Sequence, residues 1–551
     1  MMKRKQFTVR LGTASLLSTL LLGSTAALAA TGAGTATTNA TANSATTAPS
    51  APATVADLMS GASLQVSTVG PTDATFHSQE APYNTPLVGS NSWHGFLRQS
   101  ARNITVNLGG YHALNTISIQ MEQQGSLGIY FPNQIQFQAY NNGKWYTIGT
   151  VHPAVPTTNV VTNVQTFSVN ALGITAQKVR IHFPVDVWVF ARNVDVQGNP
   201  ATASSGSIPA TLNPVPSQST APMLATSTAA HGIHNMLLVY TDGATASQSV
   251  WSTSDFLPMV AHQQPNGTLN GKMFDTFLFL PYNSLADTQA GWSGYITNLF
   301  TPKQQLAALN AAVGQANQAL NTPNRKVKVV LTMPYPKFGD GNWGTINGQE
   351  INFSGSVGDP VARGARDAAM SWYLNLLLQD WHSANFANLQ LTGIYWDNEQ
   401  IDYSAPGEVQ IVQDAVNDVH QQNLPIFWIP FYDASGLDSW RSFGFDAAWL
   451  QPNYVELGTN NTSRLTNAEQ LAATYGLGME LEVAAGSITP TAATFYNNTL
   501  NQLTQDEFGG GVSHAFYAGS KGLVQAAQSS QPYLRAVYDN TYNFIQNTSV
   551  K

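Results

Sequence analysis

The sequence predicts a multidomain protein in which an N-terminal β-sandwich is followed by a (β/α)8 TIM barrel. Three observations support this fold class. Residues 55–198 contain short strands with a period of two, residues 229–551 alternate between apolar strands and helical stretches, and the segment 199–228 has the Ser/Thr/Ala/Pro-rich composition of a linker. At roughly 150 residues per domain, a chain of 551 residues accommodates both modules.

The composition excludes several classes of function. Lys and Arg together number 23, Asp and Glu number 31, and only 10% of the residues are charged, against about 25% in an average soluble protein. Nucleic-acid binding needs a dense basic surface, so no nucleic-acid partner is expected. A neutral surface rich in hydroxyl and amide groups favours polysaccharide partners and tolerance of acid. Because the sequence has no cysteine, disulfides, thiolate nucleophiles and Cys-ligated metals are excluded.

The N-terminus has the pattern of a secretory signal peptide over residues 1–29. Three basic residues at 3–5 precede an apolar stretch centred on 16–22, and the Ala-Leu-Ala sequence at 27–29 has the form of a cleavage site. Polar residues interrupt this stretch, whereas a membrane anchor needs about 20 apolar residues. We therefore expect a secreted, extracellular protein with no membrane insertion after cleavage. Residues 30–54, which are mostly Ala, Thr, Ser, Gly and Asn, predict a flexible tether.

The first module contains six segments in which apolar and polar residues alternate, a pattern typical of β-strands. Turn signals such as Asn141-Asn142-Gly143 separate them. The segments are 104–108, 116–121, 135–140, 145–148, 165–169 and 178–183.

Three short motifs of this module resemble the discoidin, or coagulation-factor type C, form of jelly roll. Trp93-His94-Gly95-Phe96 precedes a strand ending in Val106-Asn107-Leu108-Gly109, and a later strand carries Lys178-Val179-Arg180-Ile181. The resemblance implies that loops at one end of the sandwich bind glycans, and in some members a structural calcium ion is held. Trp93 and Trp145 are candidate platforms for sugar stacking, with a place in the core as the alternative for each.

The second module contains eight apolar segments that we interpret as parallel strands, and helix-compatible runs lie between most of them. The strand segments are 236–241, 276–281, 327–333, 391–396, 426–431, 447–451, 478–483 and 512–517. The helical runs include 303–320, 361–386, 409–421, 467–475 and 491–505. Eight strands favour a closed barrel over an open sheet. No glycine-rich phosphate fingerprint follows the first strand, so dinucleotide binding is not predicted.

Acids, amides and aromatic residues are concentrated at the C-terminal ends of these strands, where barrel enzymes have their working residues. Sugar hydroxyls need amide and carboxylate partners, and pyranose rings stack on aromatic side chains. Loop capping is the alternative explanation for individual positions. The predicted substrate-binding residues are Tyr240, Asp242, Tyr282, Tyr335, Asp397, Asn398, Asp433, Gln451, Asn453, Tyr454, Glu482 and Tyr517. Tyr395, Trp396, Trp428 and Tyr432 are further candidate surfaces, and we expect those that face the helices to be core.

Two carboxyl groups are required to cleave a glycosidic bond through its oxocarbenium-like transition state. Asn398-Glu399 ends the fourth predicted strand, and Glu480 lies on the seventh. This arrangement resembles clan A of the glycoside hydrolases, the retaining 4/7 superfamily. The resemblance implies that Glu399 donates the proton, that Asn398 binds the sugar's 2-substituent and that Glu480 is the nucleophile. We expect burial and the charge of Glu480 to raise the pKa of Glu399.

Glu482 is an alternative nucleophile, because it shares the parity of Glu480 on a regular strand. Met479-Glu480-Leu481-Glu482 is similar to the xylanases of the clan, in which a supporting carboxylate follows the nucleophile by two residues. The similarity implies that Glu480 attacks and that Glu482 orients. Asp397 is the reserve acid. The purely structural alternative is a network of these acids with the bases Arg363, Arg366 and Lys337.

The sequence thus predicts a secreted, endo-acting, retaining hydrolase of an exopolysaccharide or cell-wall glycan that needs no cofactor. The combination of modules is similar to a bacterial family of secreted proteins, although the Arg that clan A has on strand 2 is not evident. The first alternative is a non-catalytic glycan-binding surface or matrix protein. A barrel isomerase or lyase is a weaker alternative, since phosphate and metal motifs are missing from the sequence. The sugar, its linkage and the oligomeric state are left open.

Overall fold

The computed structural model describes residues 54–154, 162–217, 221–243, 245, 250–282, 285–455, 462–484 and 487–547. The predicted signal peptide and nearly all of the predicted tether lie outside these residues. From Val55 onward, the chain forms one compact unit that contains both predicted modules. No helix in the described part of the chain is long and apolar enough to cross a bilayer.

The first module is a β-sandwich whose nine strands pair in the antiparallel sense. The strands are Ala56–Asp57, Ser63–Thr68, His94–Leu97, Arg102–Gln123, Ile135–Asn141, Lys144–Val151, Asn163–Asn170, Thr175–Phe183 and Trp188–Ala203. An α-helix at Ala74–Glu80 and 3-10 turns at Ala81–Tyr83 and Gly125–Leu127 complete the module. The predicted sandwich is therefore confirmed.

Two predicted strands of the sandwich form one long strand, Arg102–Gln123. The Gly109-Gly110 pair lies between the two predicted segments, where the pairing register shifts between Asn107 and His112. Gly109 has a φ of 78°, so the shift acts as a bulge that bends the strand without ending it. Side chains on both sides of the bend, among them Ile104 and Ile119, are fully buried in the same core.

The segment at 199–228, predicted as a linker, is hydrogen-bonded to both modules at several points of its described part. Its first five residues belong to the strand Trp188–Ala203. The N–H of Val215 donates to the Trp145 carbonyl at 2.7 Å, and the N–H of Met223 donates to the Leu477 carbonyl at 2.9 Å. Met223 is buried against the interior of the barrel. Small polar residues predicted a flexible segment, but backbone groups bond independently of side-chain type.

The second module is a closed barrel of eight parallel strands, as predicted. In order, the strands are Asn235–Thr241, Thr276–Pro281, Val327–Met333, Leu389–Trp396, Ile426–Trp428, Ala447–Leu450, Gly478–Glu482 and His514–Tyr517. The α-helices are Thr253–Val260, Gln289–Leu299, Gln305–Ala319, Asp359–Ala384, Glu408–Gln421, Thr462–Tyr475, Pro490–Gln505, Gly522–Gln528 and Pro532–Ile545. Short hairpins follow the first and third strands, at Ala261–Gln263 with Leu269–Lys272 and at Asn342–Ile346 with Gln349–Asn352.

Alternate residues of the barrel strands face the lumen and the surrounding helices. One core cluster fills the lumen, with Leu238, Tyr395 and Trp449 among its members. The outer cluster lies between strands and helices and contains Trp396 and Trp428, which are fully buried. Both tryptophans are therefore core residues, because their parity directs them away from the lumen.

The sandwich packs against the barrel where an outer α-helix is missing. The connection between the fifth and sixth strands, all of which the structure describes, contains only the short 3-10 helix Leu437–Phe443. Tyr130 of the sandwich belongs to the outer core of the barrel, and its ring centroid lies 5.9 Å from that of Tyr403. The sandwich therefore covers apolar surface that an α-helix covers elsewhere around the barrel.

Two carboxyl groups cross this interface in opposite directions. Asp186 of the sandwich accepts from the N–H of Gly436 at 2.7 Å, and Asp438 of the barrel accepts from the N–H of Val185 at 2.9 Å. Burial raises the pKa of Asp186 to about 6, and the pKa of Asp438 rises to about 8 through burial and the nearby charge of Asp186. Docking therefore shifts both carboxyl groups towards their protonated forms, relative to an exposed aspartate.

We expect Asp438→Asn to change how stability depends on pH. Because both folded-state pKa values lie above the ordinary 3.8, the folded protein binds more protons than the unfolded chain. The contribution of this pair to the free energy of unfolding should therefore be greatest below about pH 4 and decrease as the pH rises to about 8. The variant lacks one titrating group, so the fall should be shallower, and urea denaturation across this range measures it. Glu350→Gln, at an exposed site, is the control; a slope unchanged by Asp438→Asn would contradict the assignment.

Candidate functional site

Tyrosine side chains line the lumen at the C-terminal ends of the barrel strands. Tyr240 lies at the end of the first strand. Its ring centroid lies 5.6 Å from that of Tyr517 on the eighth strand. The ring centroid of Tyr282, just beyond the second strand, lies 6.2 Å from that of Tyr240. Both contacts are edge-on, and Tyr240 and Tyr282 are half-buried. These three predicted residues are therefore brought together, and they form an aromatic lining at one mouth of the barrel.

The seventh strand directs two carboxylates into this mouth. Glu480 pairs in register with Ala515, and Glu482 with Tyr517, both of which belong to the lumen cluster. Parallel neighbours in register point the same way, so the two glutamates face inward. Their side chains are 2% and 3% exposed, respectively. The sequence-based parity of the two acids holds in the structure.

Glu482 holds the loop that follows the sixth strand. Its carboxylate accepts from the N–H of Asn453 at 2.9 Å, from Nδ2 of Asn453 at 3.4 Å and from the N–H of Val455 at 3.2 Å. Asn453 has a φ of 48°, a left-handed conformation that Asn adopts more readily than most residues. Glu482 is thus a carboxylate committed to backbone groups, which suits an orienting role better than nucleophilic attack.

Three acidic groups lie around one tyrosine of the fourth strand. Tyr395 faces the lumen and is buried. Burial raises the pKa of Tyr395 well above its usual range, and the negative charges of Glu399, Asp397 and Glu480 add to the effect. Carboxylates from the fourth and seventh strands therefore act electrostatically on the same hydroxyl group, as expected for side chains that converge on one mouth.

Glu399 differs from the prediction in its environment. We expected a buried carboxyl group, but Glu399 is exposed, whereas the preceding Asn398 is buried. The strand ends at Trp396, and Glu399 lies in the bend beyond it, above the packed lumen. The burial that we expected for this carboxyl group is therefore not found. Asp397, the reserve acid, is partly buried at the end of the strand.

The basic residues that could have bound these acids are engaged elsewhere. Arg363 pairs with Asp414 at 2.7 Å, and Arg366 forms a buried pair with Glu408 at 2.9 Å. Lys337 is exposed in the loop after the third strand. The ion-pair network that was the structural alternative is not formed by these two arginines.

Two predicted substrate-binding tyrosines face away from the lumen. Tyr335 packs on the outer core, and its hydroxyl donates to Glu408 at 3.0 Å. Tyr454 is 3% exposed, and its ring lies 6.3 Å from Phe495. The prediction from chain position was wrong in placing these two side chains at the mouth, because each belongs to a loop beyond a strand end, where the period of two no longer fixes direction.

The remaining predicted residues lie in different environments, from the exposed rim to the buried core and the interface with the sandwich. Asp242 is exposed at the rim and has a φ of 59°, and desolvation by the nearby wall raises its pKa. Gln451 is buried, and its Nε2 donates to the Ile429 carbonyl at 2.9 Å. The carbonyl of Asp433 accepts from Nη1 of Arg98, a sandwich residue, at 2.6 Å. The backbone carbonyl of Asn398 accepts from Nε1 of Trp428 at 2.7 Å.

Sequence reasoning missed an acid pair near the same rim, after the second and third strands. The pKa of Asp287 rises to about 7 through burial and through a hydrogen bond and charge repulsion with Asp340. Both residues follow strand ends, which is the signal that would have found them. A second group that was missed comes from the sandwich, where Asp73 accepts from the Tyr432 hydroxyl at 3.3 Å; no local pattern reveals a partner so distant in sequence.

The two candidate sugar platforms of the sandwich each have a guanidinium group over the ring. Arg192 lies 4.0 Å from the ring centroid of Trp93, and Arg180 lies 4.3 Å from that of Trp145. Both tryptophans are half-buried. One face of each ring is therefore already stacked. In the part of the chain that the structure describes, no group of three or more His, Asp or Glu side chains is arranged to hold a metal ion.

Two protein-family models match the chain, one for each module. Residues 235–543 match the model described as Domain of unknown function (DUF4855), and residues 65–192 match the F5/8 type C domain. The second match confirms the discoidin-like sandwich, whereas membership of clan A of the glycoside hydrolases is not confirmed. Among curated proteins, none matches the chain.

Solved structures are similar to this chain at low sequence identity. The family 32 carbohydrate-binding module of NanJ from C. perfringens, in complex with galactose, is 14% identical, with a TM-score of 0.20 over 26% of this chain and 99% of that one. The CBM22-1–GH10 modules of endo-1,4-β-D-xylanase 10B from Clostridium thermocellum are 10% identical, with a TM-score of 0.31 over 88% of this chain and 94% of theirs. A GH29 fucosidase from Ruminococcus gnavus is 15% identical, with a TM-score of 0.18. The match covers 26% of this chain and 27% of the fucosidase.

Glu482→Ala should destabilise the protein. The substitution leaves the N–H groups of Asn453 and Val455 without their acceptor in a largely buried position, and we expect the free energy of unfolding to fall by about 2–3 kcal/mol. Urea denaturation measures the change. Glu350→Ala, an exposed substitution, should leave stability nearly unaltered. Equal stability of Glu482→Ala and the wild type would show that the anchoring bonds contribute nothing.

Proposed function

The chain belongs to the family described as Domain of unknown function (DUF4855), and we propose that this member is a secreted glycoside hydrolase of extracellular polysaccharides. The observation that carries the proposal is the barrel mouth, where inward-facing Glu480 and the acids of the fourth strand surround Tyr395. Tyrosine rings line the same mouth. Carboxylates beside flat aromatic surfaces are the combination that glycan cleavage requires.

In the proposed reaction, Glu399 protonates the departing glycosidic oxygen while Glu480 attacks the anomeric carbon. A glycosyl-enzyme forms, and Glu399 then takes a proton from the water that releases the sugar, so the anomeric configuration is retained. Retention requires a separation of about 5–5.5 Å between the two carboxyl groups during the reaction. Glu482 supports Glu480 by fixing the neighbouring loop, since its own oxygens accept from Asn453 and Val455.

The exposure of Glu399 sets a condition on this mechanism. A proton donor works best when its pKa lies near the working pH. Glu399 is exposed in the unbound protein, where water stabilises the charged form of a carboxyl group. A bound polysaccharide would cover the rim, remove water from Glu399 and raise its pKa. We therefore propose that the enzyme acts in mildly acidic surroundings, with Asp397 as the reserve donor.

The sandwich and the N-terminus support an extracellular polysaccharide as the substrate. Discoidin-type modules often bind glycans, and the signal-peptide pattern at residues 1–29 predicts export. The half-buried Tyr240 and Tyr282 offer their remaining exposed surface at the mouth to a sugar chain. Cleavage within the chain is the mode that we propose.

A non-catalytic glycan-binding protein is the second candidate. The exposure of Glu399 favours it, because a binder needs no desolvated acid opposite a nucleophile. In that case the same tyrosines and acids would hold a sugar chain without breaking it.

Glu399→Gln and Glu480→Gln should each abolish turnover and leave polymer binding intact. The amides occupy the same volume but supply neither the proton nor the nucleophile, so we expect a loss of at least about a hundredfold in kcat. Reducing-end release from a panel of bacterial and plant polysaccharides measures turnover, and sedimentation with insoluble polymer measures binding.

The matched control is Glu350→Gln, which is exposed in the hairpin after the third strand. Wild-type rates in both active-site variants would end the hydrolase proposal. Binding without turnover by the wild type on the whole panel would favour the glycan-binding protein. Proton NMR of the first product distinguishes retention from inversion.

A further inference from the structure

A chain of hydrogen bonds leads from the sandwich to the seventh barrel strand. Nε2 of Gln99 donates to the carbonyl of Tyr432 at 2.8 Å. The N–H of Tyr432 donates to Oδ1 of Asn453 at 2.9 Å, and the N–H of Asn453 donates to Oε1 of Glu482 at 2.9 Å. Glu482 lies two residues after Glu480 on the same strand.

The first bond of this chain is itself well supported. Gln99 is only 3% exposed, and its Oε1 accepts from the N–H of Asp73 at 3.1 Å, so the amide group is held at both ends. Arg98 adds a parallel bond to the carbonyl of Asp433 at 2.6 Å. Two successive carbonyl groups of the loop after the fifth strand are thus held by the sandwich.

The loop after the fifth strand has no α-helix of its own. The connection between the fifth and sixth strands contains the seven-residue 3-10 helix Leu437–Phe443, in a stretch that the structure describes throughout. Elsewhere around the barrel, a long helix such as Asp359–Ala384 holds the connection on the outside. Where the helix is missing, the docked sandwich adds its contacts to those that the loop makes within the barrel, such as the bond from Oγ of Ser435 to the Ile401 carbonyl at 2.7 Å.

We propose that the sandwich is a positioning element of the candidate site, in which Gln99 and Arg98 fix the loop after the fifth strand and, through Asn453, the carboxylate of Glu482. The catalytic importance of Glu480 in this inference rests on the proposed function. The hydrogen-bonded connection from Gln99 to Glu482 does not depend on that function. The module therefore holds a loop next to the site, in addition to the polymer binding that we propose for it. Gln99 and Arg98 are positioning residues, since neither contacts the lumen acids directly.

The closing experiment compares hydrogen–deuterium exchange in the full chain and its Gln99→Leu variant. Loss of one buried hydrogen bond should speed exchange in peptides that cover residues 430–455 by about tenfold. The matched control is Gln138→Leu, because Gln138 is 1% exposed and bonds only within the sandwich, to Gln136 and Arg180. This control should leave residues 430–455 as protected as in the wild type.

Arg98 provides a second and conservative test. Arg98→Leu should speed exchange over the same residues, and Arg98→Lys, which retains a donor, should restore much of the protection. Wild-type protection of 430–455 in both Gln99→Leu and Arg98→Leu would overturn the proposal. Uniformly faster exchange over the whole chain would also overturn it, since that result indicates global destabilisation.

Turnover separates this inference from the proposed function. On any polysaccharide that the wild type cleaves, Gln99→Leu should lower kcat about tenfold with little change in KM, because the acids are misplaced while most sugar contacts persist. An unchanged kcat would contradict positioning. If the wild type cleaves nothing, the proposed function fails, whereas the exchange experiment still decides whether the sandwich fixes the loop.

Discussion

The two-residue period of side chains around a closed barrel is the constraint on which the candidate site depends. Eight parallel strands in register point alternate residues into one lumen. Glu480 and Tyr395 face inward for this reason, although they are 85 positions apart in the sequence. The same parity turns Trp396 and Trp428 outward into the core. A shift of one residue in any strand would exchange the two sets.

The interface between the modules adds a second constraint, which acts on a loop of the barrel. A connection without an α-helix leaves apolar surface and loop carbonyls that must be covered, and the sandwich covers them with Tyr130, Gln99 and Arg98. The interface also buries carboxyl groups, Asp186 and Asp438, each on a backbone N–H of the other module. The docking of the two modules is therefore linked to protonation of these carboxyl groups. The stability of the fold depends on pH for this reason.

Several of the few charged residues have a traceable structural role. Glu408 and Arg366 form a buried pair that holds Tyr335 and the long helix after the third strand, and Glu482 holds the loop after the sixth. Glu480, two residues earlier on the same strand, is the other carboxylate that faces the lumen.

The sequence by itself determined the order of the modules, the number of barrel strands and the inward parity of Glu480 and Glu482. These properties are local, because hydrophobic periodicity over a few residues fixes which side of a strand is buried. Most predicted strand limits lie within two or three residues of those observed. The tyrosines of the first and eighth strands were found for the same reason.

Only the tertiary structure decided which residues share a surface across hundreds of positions. Gln99 and Tyr432 are 333 residues apart, and no pattern in either segment indicates their hydrogen bond. The sequence likewise did not determine the exposure of Glu399 or the outward direction of Tyr335. Both residues lie beyond the end of a strand, where the two-residue period no longer applies. Local sequence fixes the direction of a side chain within a strand, whereas packing between distant segments decides its environment beyond the strand.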